Sequence, residues 1–226
     1  MNSKPAPAAA TPRRRIYIVE DHPITRYGLS QLIRQEPDLV VCGEAPHAQR
    51  ALADLPAAAP DLILADISLP GRSGLDFIRD VHTLHPELPV LVLSMHDETL
   101  YAERVLRAGG RGYIMKSEGG QKLLDAIRHV LAGQVFVSPK IAAGILDSLT
   151  RRPRHSATPA VLSDREFEVF QLIGLGLPTQ EIARRLHLSA KTVGTHRQHI
   201  KEKLHLSTGP ELIQQAVRWS ATQQLA

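Results

Sequence analysis

Five side chains suited to phosphate chemistry follow four short apolar runs in the first half of the chain. They are Glu20 and Asp21 after Ile16–Val19, Asp66 after Leu62–Ala65, Ser94 after Val90–Leu93, and Lys116 after Tyr113–Met115. If these runs are parallel strands of one sheet, the five residues meet at its carboxyl edge, where open α/β sheets bind their ligands. Three carboxylates, a hydroxyl and an ammonium group gathered there predict a Mg²⁺ site beside an aspartate that accepts a phosphoryl group.

Transfer of a phosphoryl group to a carboxylate requires an ionised nucleophile, a divalent cation and donors for the remaining charge. Mg²⁺ takes oxygen ligands. The predicted ligands are Glu20, Asp21, Asp66 and a backbone carbonyl just after Asp66, assigned to Ser68. Asp66 stands alone at its strand end and is followed by a loop, so that a donor can reach it. Any one of these residues alone is more simply a helix cap or a surface charge; their placement at four strand ends points to a shared site.

Short aliphatic runs alternate with segments of helical period between residues 15 and 133. The predicted strands are Ile16–Glu20, Leu39–Gly43, Leu62–Asp66, Val90–Ser94 and Gly112–Met115, and the predicted helices are Ile24–Arg34, His47–Leu55, Gly74–Leu84, Thr99–Arg107 and Gln121–Ala132. Several strands are almost continuously apolar, as expected where helices cover both faces of a parallel sheet. Five such strand-helix units predict an α/β doubly wound, flavodoxin-like domain.

The strand pattern stops after residue 133. Residues 134–160 are predicted to be a linker that contains one helix, Val137–Leu149, and ends in a segment rich in proline and arginine. Further helices are predicted at Asp164–Ile173, Thr179–Leu186, Ala190–Leu204 and Pro210–Trp219. Ser163 and Ser189 suit the N-caps of the first and third of these, and Glu166 completes a capping box with Ser163. Residues 161–226 are thus expected to form a small all-α domain with a helix-turn-helix.

The formal net charge of +4 conceals an uneven distribution along the chain. Residues 1–15 carry +4, residues 16–150 carry −5 and residues 151–226 carry +5, so an acidic domain precedes a basic one that suits a polyanion. Cys42 is the only cysteine, which excludes an intramolecular disulfide and favours a reducing compartment. We expect a cytoplasmic protein, because no apolar stretch approaches the roughly 18 residues of a membrane span, and a disordered tail over residues 1–14.

The runs IVEDHPITRYGL, ILADISLPGRSGLD, VLVLSMHDE and GYIMKS resemble the receiver domain of bacterial two-component response regulators, over residues 15–133. The roles that this resemblance implies are a phosphoacceptor at Asp66, an acidic pair at Glu20 and Asp21, a switch hydroxyl and lysine at Ser94 and Lys116, and a switch aromatic at Tyr113. Met95 stands where receiver domains often have a small residue, and we hypothesise that it hinders water or donor near the phosphoryl group. His96 either faces the same pocket or lies in solvent.

Residues 161–217 resemble the DNA-binding domain of LuxR-type regulators, and the whole chain resembles the NarL/FixJ family of response regulators. The second helix of the predicted helix-turn-helix would enter the major groove, with basic residues holding phosphates. The candidate DNA contacts are Lys191, Thr192, Thr195, Arg197, Gln198 and Lys201. Gly194 departs from the family, which commonly has a DNA-contacting lysine there, so base reading is expected to fall more on Thr195 and Gln198. A solvated face on a helical bundle is the alternative.

These resemblances predict a phosphorylation-activated transcription regulator. Its expected partners are a sensor histidine kinase, double-stranded promoter DNA and a second copy of the chain when phosphorylated or DNA-bound, with no membrane. Mg²⁺ is the expected cofactor, and no enzymatic activity is expected beyond phosphorylation and dephosphorylation of Asp66. A phosphatase of the haloacid dehalogenase kind is disfavoured, because Ser68 stands where that chemistry needs a second aspartate. A regulator that ignores phosphorylation and a C-terminal domain that binds protein both stay compatible with the sequence.

Overall fold

A computed structural model of the protein describes residues 12–70, 73–150 and 161–224. Most of the predicted N-terminal tail, residues 1–11, and the basic segment 151–160 lie outside the described residues. In the first domain the elements are β1 (Arg14–Val19), α1 (Pro23–Arg34), β2 (Leu39–Ala45), α2 (Ala48–Ala58), β3 (Leu62–Ala65), α3 (Gly74–Leu84), β4 (Val90–Ser94), α4 (Glu98–Arg107), β5 (Gly112–Met115) and α5 (Gly120–Leu131). Every strand and helix predicted for this domain is present, with ends that differ from the prediction by up to three residues.

The five strands form one parallel sheet in the order β2-β1-β3-β4-β5. The chain runs outward from β1 to β2, returns to β3 on the other side of β1, and then proceeds to β5. The reversal between β1 and β3 is the topological switch point at which doubly wound sheets bind ligands. The predicted flavodoxin-like fold is confirmed, and the acidic residues that follow β1 and β3 lie at this point.

Side chains from alternate positions of each strand pack into two apolar layers. Ile16 and Ile18 point to one face of the sheet and share a cluster with Ile127 of α5. Tyr17 and Val19 point to the other face and share a cluster with residues of α2, α3 and α4. The sheet is therefore covered on both faces, which explains why its strands read as continuous apolar runs.

The chain continues with α6 (Pro139–Thr150), α7 (Asp164–Gly174), α8 (Thr179–Arg185), α9 (Ala190–Lys203) and α10 (Gly209–Gln224). The predicted capping box of α7 is present, since Ser163 and Glu166 each accept a hydrogen bond from the backbone of the other. The predicted cap of α9 is also present, with Ser189 accepting from the Thr192 backbone N–H. The caps fix where α7 and α9 begin, and α9 is the second helix of the helix-turn-helix that it forms with α8.

The helix-turn-helix has an apolar inward face. Ile182, Val193 and Ile200 are buried, while Leu186 and Leu204 are half-buried and pack against them. The apolar residues of α10 divide into two groups, with Leu212 and Ala216 in the core and Ile213 and Val217 each 44% exposed. Among the described residues, no helix combines the length and the apolar character that crossing a membrane would require.

Gly74, the first residue of α3, lies against the loop that follows Asp66. Its N–H donates to the Ile67 carbonyl at 3.0 Å, and a Cβ on Gly74 would lie 2.6 Å from Ile67 Cα, with the carbonyl oxygen closer still. Because the obstructing atoms belong to the backbone, a side chain can be accommodated only if α3 and the Asp66 loop move apart. This glycine therefore keeps the helix and the loop in contact.

We predict that Gly74→Ala lowers the free energy of unfolding by about 1–3 kcal/mol, the usual cost of forcing an extra methyl group into a packed site. Gly28→Ala is the matched control, because Gly28 is helical and a Cβ there meets nothing within 4 Å. The control should be neutral or stabilising by up to about 1 kcal/mol. Equal effects of the two substitutions in urea unfolding would contradict the packing argument.

Candidate functional site

Glu20, Asp21 and Asp66 meet at the switch point of the sheet. The Glu20 N–H donates to the Ala45 carbonyl at the end of β2, and the Asp66 N–H donates to the Val19 carbonyl at the end of β1. These bonds continue the strand pairing by one residue and aim the carboxylates at a common point. One ligand atom from each carboxylate and one from His22 lie within 4.8 Å of one another. The predicted clustering at the carboxyl edge is confirmed.

The Lys116 ammonium group lies between two of these carboxylates. Its Nζ donates to Glu20 Oε2 at 2.6 Å and to Asp66 Oδ2 at 2.7 Å. Burial by itself lowers the pKa of Lys116, but the Asp66 and Glu20 carboxylates outweigh burial and raise this pKa above its usual value. The lysine is therefore charged at neutral pH, and it neutralises part of the negative charge that the sheet edge concentrates.

The geometry of Asp21 fits a divalent cation. Its Oδ1 is buried and accepts no hydrogen bond from the described residues; His22 Nδ1 lies 2.7 Å away, but without the alignment that a hydrogen bond needs. A buried carboxylate oxygen without a donor is costly, and a cation would satisfy it. Together with Glu20 and Asp66 it forms the oxygen-rich donor set that Mg²⁺ prefers. The Ser68 N–H donates to Asp66 Oδ1 at 3.1 Å, which places the start of the β3–α3 loop at the site.

The predicted switch residues Ser94 and Tyr113 both contact the backbone of His96. Ser94 Oγ accepts from the His96 N–H at 3.1 Å, and the Tyr113 hydroxyl donates to the His96 carbonyl at 2.9 Å. Both side chains are buried, and burial is the main cause that raises the pKa of Tyr113. The tyrosine is therefore a neutral hydrogen-bond donor that points inward.

The two residues after Ser94 lie in different surroundings. Met95 is 73% exposed, so its side chain projects mostly into solvent, and the hypothesis that it hinders hydrolysis has no packing contact behind it. His96 faces the pocket, since its Nε2 lies 2.9 Å from Ser68 Oγ and its ring lies 4.9 Å from the ring of Tyr101. Burial lowers the pKa of His96 despite the opposing charge of Asp66, with Lys116 adding to the decrease.

The predicted DNA contacts lie together on α9. Lys191, Thr192, Thr195 and Gln198 are exposed, and Arg197 and Lys201 are half-buried. Three of these side chains have partners within the helix: Thr192 shares a hydrogen bond with Ser189 Oγ, Thr195 donates to the Lys191 carbonyl, and Gln198 donates to Glu202. Gly194 lies on the same exposed face, where a Cβ would meet nothing within 4 Å.

A charged contact ties the start of α7 to the end of α9. Lys203 Nζ lies 2.6 Å from Glu166 Oε2, which also accepts from the Ser163 N–H at 2.7 Å. Burial raises the pKa of Glu166, but the hydrogen bonds from Lys203 and Ser163 outweigh burial and hold the pKa below its usual value. The carboxylate is ionised at neutral pH and joins the two helices.

Comparison with known proteins assigns both domains. The sequence profile of the response regulator receiver domain matches residues 16–128, and that of the bacterial regulatory proteins of the luxR family matches residues 160–216. The chain belongs to the response regulators that carry both domains. It is 32% identical over 210 residues to the oxygen regulatory protein NreC of Staphylococcus carnosus strain TM300, an alignment that covers 90% of this chain and 97% of the relative.

Solved structures agree with this assignment. A LuxR-family two-component response regulator from Aurantimonas sp. SI85-9A1 is 33% identical with a TM-score of 0.57, covering 62% of this chain and 99% of its own. RcsB of Salmonella enterica serovar Typhimurium, solved on the promoter rprA with the phosphomimetic BeF₃⁻, has the same fold. It is 23% identical with a TM-score of 0.60, over 91% of this chain and 98% of its own. This response regulator is thus a transcription regulator of the two-component type.

Sequence reasoning missed the residues of this response regulator that join its two domains. Tyr101 and Arg104 of α4 contact Gln171 and Asp164 of α7. The four positions fit equally well as ordinary helix residues, so the sequence offered no signal for their pairing. His22 also lies beside the acidic pair, and its position next to Asp21 in the sequence is the signal that could have identified it.

We predict that Mg²⁺ raises the thermal unfolding midpoint of the full chain and that Asp21→Asn loses most of this rise. A ligand that binds only the folded state at 100 times its Kd contributes about 2.7 kcal/mol, and Asp21 offers the oxygen that lacks a donor. Asp125→Asn removes an exposed carboxylate of α5 and should retain the full response. An Asp21→Asn protein as responsive as the wild type would contradict the assignment of this ligand.

Proposed function

We propose that this response regulator accepts a phosphoryl group on Asp66 from the phosphohistidine of a sensor kinase, or from a small phosphodonor. The observation that supports this most directly is the arrangement of Lys116. Its ammonium group contacts the Asp66 carboxylate at 2.7 Å, and the same cluster contains a buried Asp21 oxygen that accepts no hydrogen bond from the described residues. The Lys116 ammonium group is therefore fixed next to the nucleophile, and the carboxylate ligands for a metal cation lie beside it.

Glu20, Asp21, Asp66 and the Ser68 carbonyl would hold Mg²⁺, which supplies neutralisation of the phosphate oxygens. The protein's own residues do the rest. Asp66 is the nucleophile, since its carboxylate is at the strand end and is oriented by the Ser68 N–H. Lys116 exchanges a carboxylate partner for a phosphoryl oxygen, and Ser94 donates its hydroxyl proton to another. Ser94 must then turn its hydroxyl toward Asp66, and Tyr113 repacks with it.

We propose that α9 reads promoter DNA in the major groove. Lys191 and Thr195 are exposed on one side of this helix, and the domain that carries it has a net positive charge. Lys191, Arg197 and Lys201 are assigned to phosphates, and Thr192, Thr195 and Gln198 to the groove. Ile213 and Val217 form an exposed apolar pair on α10, which suits contact with a second copy on an adjacent half-site.

The same proposal places the protein in the cytoplasm, where its kinase and promoter are accessible. It assigns no enzymatic activity beyond turnover of the phosphoryl group on Asp66. Ser68 supports this restriction, because its hydroxyl meets His96 Nε2 at 2.9 Å and offers no second carboxylate for general acid–base hydrolysis of a substrate.

The phosphoacceptor is tested with an acyl phosphate and Mg²⁺ on the full chain. We expect one added phosphoryl group in the intact mass, labile to hydroxylamine as an acyl phosphate should be. Asp66→Asn should abolish the adduct, whereas Asp125→Asn, which removes one exposed carboxylate, should leave it unchanged. No adduct on the wild-type chain, or an adduct that persists in Asp66→Asn, would refute the assignment.

The DNA-binding surface is tested at Gly194, where an added side chain meets open space. Gly194→Lys should steepen the dependence of log K on log salt by about 0.9, because one more phosphate is neutralised. Gly194→Ala should stabilise α9 by about 1 kcal/mol and leave the salt slope unchanged. Fluorescence anisotropy with a promoter fragment measures both; identical slopes for the two variants would remove this face from the DNA interface.

A further inference from the structure

The imidazole ring of His22 lies at the N-terminus of α1 but does not cap this helix. His22 is the N-cap residue of α1, and its side chain accepts no hydrogen bond from the first turn. His47 stands at the same position of α2, and its ring accepts from the Arg50 N–H at 3.2 Å. The two rings therefore differ in what they contact, because that of His22 lies against the carboxylates of Glu20 and Asp21 instead.

The spacing of the ring nitrogen from these carboxylates fits two ligands of one metal ion. His22 Nδ1 lies 2.7 Å from Asp21 Oδ1 and 3.2 Å from Glu20 Oε1. Adjacent ligand atoms on an ion, at metal–ligand distances of about 2.0–2.2 Å, lie roughly 2.9–3.4 Å apart. Both separations are close to this range, so Nδ1 is placed to share an ion with each of the two oxygens.

The side of the site that borders His22 is the side that lacks hydrogen-bond donors. Lys116 occupies the opposite side, where it donates to Glu20 Oε2 and Asp66 Oδ2. Glu20 Oε1 accepts only weakly placed donors of His22, each at 3.2 Å. Asp21 Oδ1 is buried and accepts no hydrogen bond from the described residues. The oxygens that face His22 Nδ1 are therefore the ones that a cation would satisfy.

A proton on the His22 ring cannot replace that cation. Nδ1 carries at most one proton, and the oxygen aligned to accept it is Glu20 Oε1, so Asp21 Oδ1 still lacks a donor. The charges of the cluster lead to the same conclusion. Glu20, Asp21 and Asp66 carry three negative charges and Lys116 returns one. A divalent ion would balance the remainder and bind the ring nitrogen as well.

The nitrogen ligand determines which kind of ion the site favours. Mg²⁺ prefers oxygen ligands, whereas imidazole suits first-row transition metals such as Zn²⁺ and Fe²⁺. The His22 side chain is 68% exposed and that of Glu20 only 1%, so an incoming ion can meet the nitrogen before it reaches the deeper oxygens. The second ring nitrogen is then free to donate to water, as ligating histidines commonly do.

We propose that Glu20, Asp21 and His22 form a site for a divalent transition-metal ion, with His22 Nδ1 as its nitrogen ligand. The ion competes with Mg²⁺, because both require the same carboxylate oxygens. This inference rests on the part of the proposed function that places a divalent cation at Glu20 and Asp21. It does not depend on the role of Asp66 as phosphoacceptor.

The first test measures the affinity of the full chain for Co²⁺ and for Mg²⁺ by calorimetry. Co²⁺ is the probe because it lies between Fe²⁺ and Ni²⁺ in the affinity series for nitrogen and oxygen ligands. His22→Ala should weaken Co²⁺ binding by about 10-fold to 100-fold, the loss already seen when a residue that supports a ligand is removed. The Mg²⁺ affinity should change less than about twofold, because Mg²⁺ takes oxygen ligands. Equal losses for both ions would overturn the nitrogen ligand.

Two further variants separate ligation from other effects of the ring. His22→Gln keeps a side-chain donor for Glu20 but has no imidazole, and should lose Co²⁺ affinity as His22→Ala does. A glutamine variant with wild-type Co²⁺ affinity would overturn the ligand role. His47→Ala is the matched control, since it removes the other N-cap histidine, whose ring is occupied by the Arg50 N–H. It should bind Co²⁺ like the wild type. Equal losses in His47→Ala and His22→Ala would place Co²⁺ on scattered histidines, of which the chain has 11, and overturn the site.

The second test asks where the ion is bound. Proton NMR of the chain with one equivalent of Co²⁺ should show the paramagnetically shifted ring protons of a histidine, present in His47→Ala and absent from His22→Ala. Rising Mg²⁺ should weaken the apparent Co²⁺ affinity in proportion to its concentration. Shifted signals that persist in His22→Ala, or a Co²⁺ affinity that Mg²⁺ leaves unchanged, would overturn the inference while the proposed function stands. A wild-type chain that binds neither ion would overturn both.

Discussion

The Lys116 ammonium group lies between the buried carboxylates of Glu20 and Asp66. Removing one member of such a cluster leaves an uncompensated buried charge, which costs about 3–5 kcal/mol. The lysine can therefore leave a carboxylate only if another charge takes its place. This constraint couples Glu20 and Asp66 to β5, because a change of charge at Asp66 has to be answered by Lys116, the residue that follows β5. Ser94 and Tyr113 surround the same point, so the rearrangement reaches β4 as well.

Much of the receiver site was predictable because its geometry follows from topology. Parallel strands end at one edge of a sheet, so Glu20, Asp66 and Lys116 are brought together by residues that periodicity already identifies. Ser163 and Ser189 were predictable for a similar reason, since a cap is a local interaction with a short sequence signature. These predictions needed only the distance along the chain and the direction of each strand.

The contacts between domains were not predictable in the same way. Tyr101 has the spacing of a core residue of α4, and the structure buries it as one. The partner of its hydroxyl group, Gln171, lies 70 positions away in the other domain. His96 and Met95 show a related limit. They are adjacent in a loop, yet His96 faces the pocket and Met95 lies in solvent. The sequence could not predict this difference, because a loop has no regular period from which side-chain directions can be inferred. Glycine is required at position 74 because the Ile67 backbone lies too close for a side chain. This contact can be recognised only once the positions of α3 and the Asp66 loop are known.

The opposing contributions of desolvation and charge attraction at Asp164 suit a contact that opens and closes. Desolvation of a buried ion pair roughly cancels its Coulomb attraction, so the two arginines that pair with Asp164, Arg79 and Arg104, contribute more to the position of α7 than to the stability of the contact between the domains. The apolar contact of Tyr101 with Phe167 adds a modest stabilisation of about 0.5–1.5 kcal/mol. A contact of this strength can be reversed by the rearrangement of a few hydrogen bonds.

Glu166 connects α7 to α9. Because it caps α7 and also binds Lys203, Glu166 ties the start of α7 to the end of α9. The 14 residues of α9 span about 21 Å at 1.5 Å per residue. A tilt of about ten degrees about one end of α9 would move its other end by roughly 3.7 Å, close to the rise of one base pair, about 3.4 Å. A small tilt of α9 is thus enough for a full step of register along a DNA duplex.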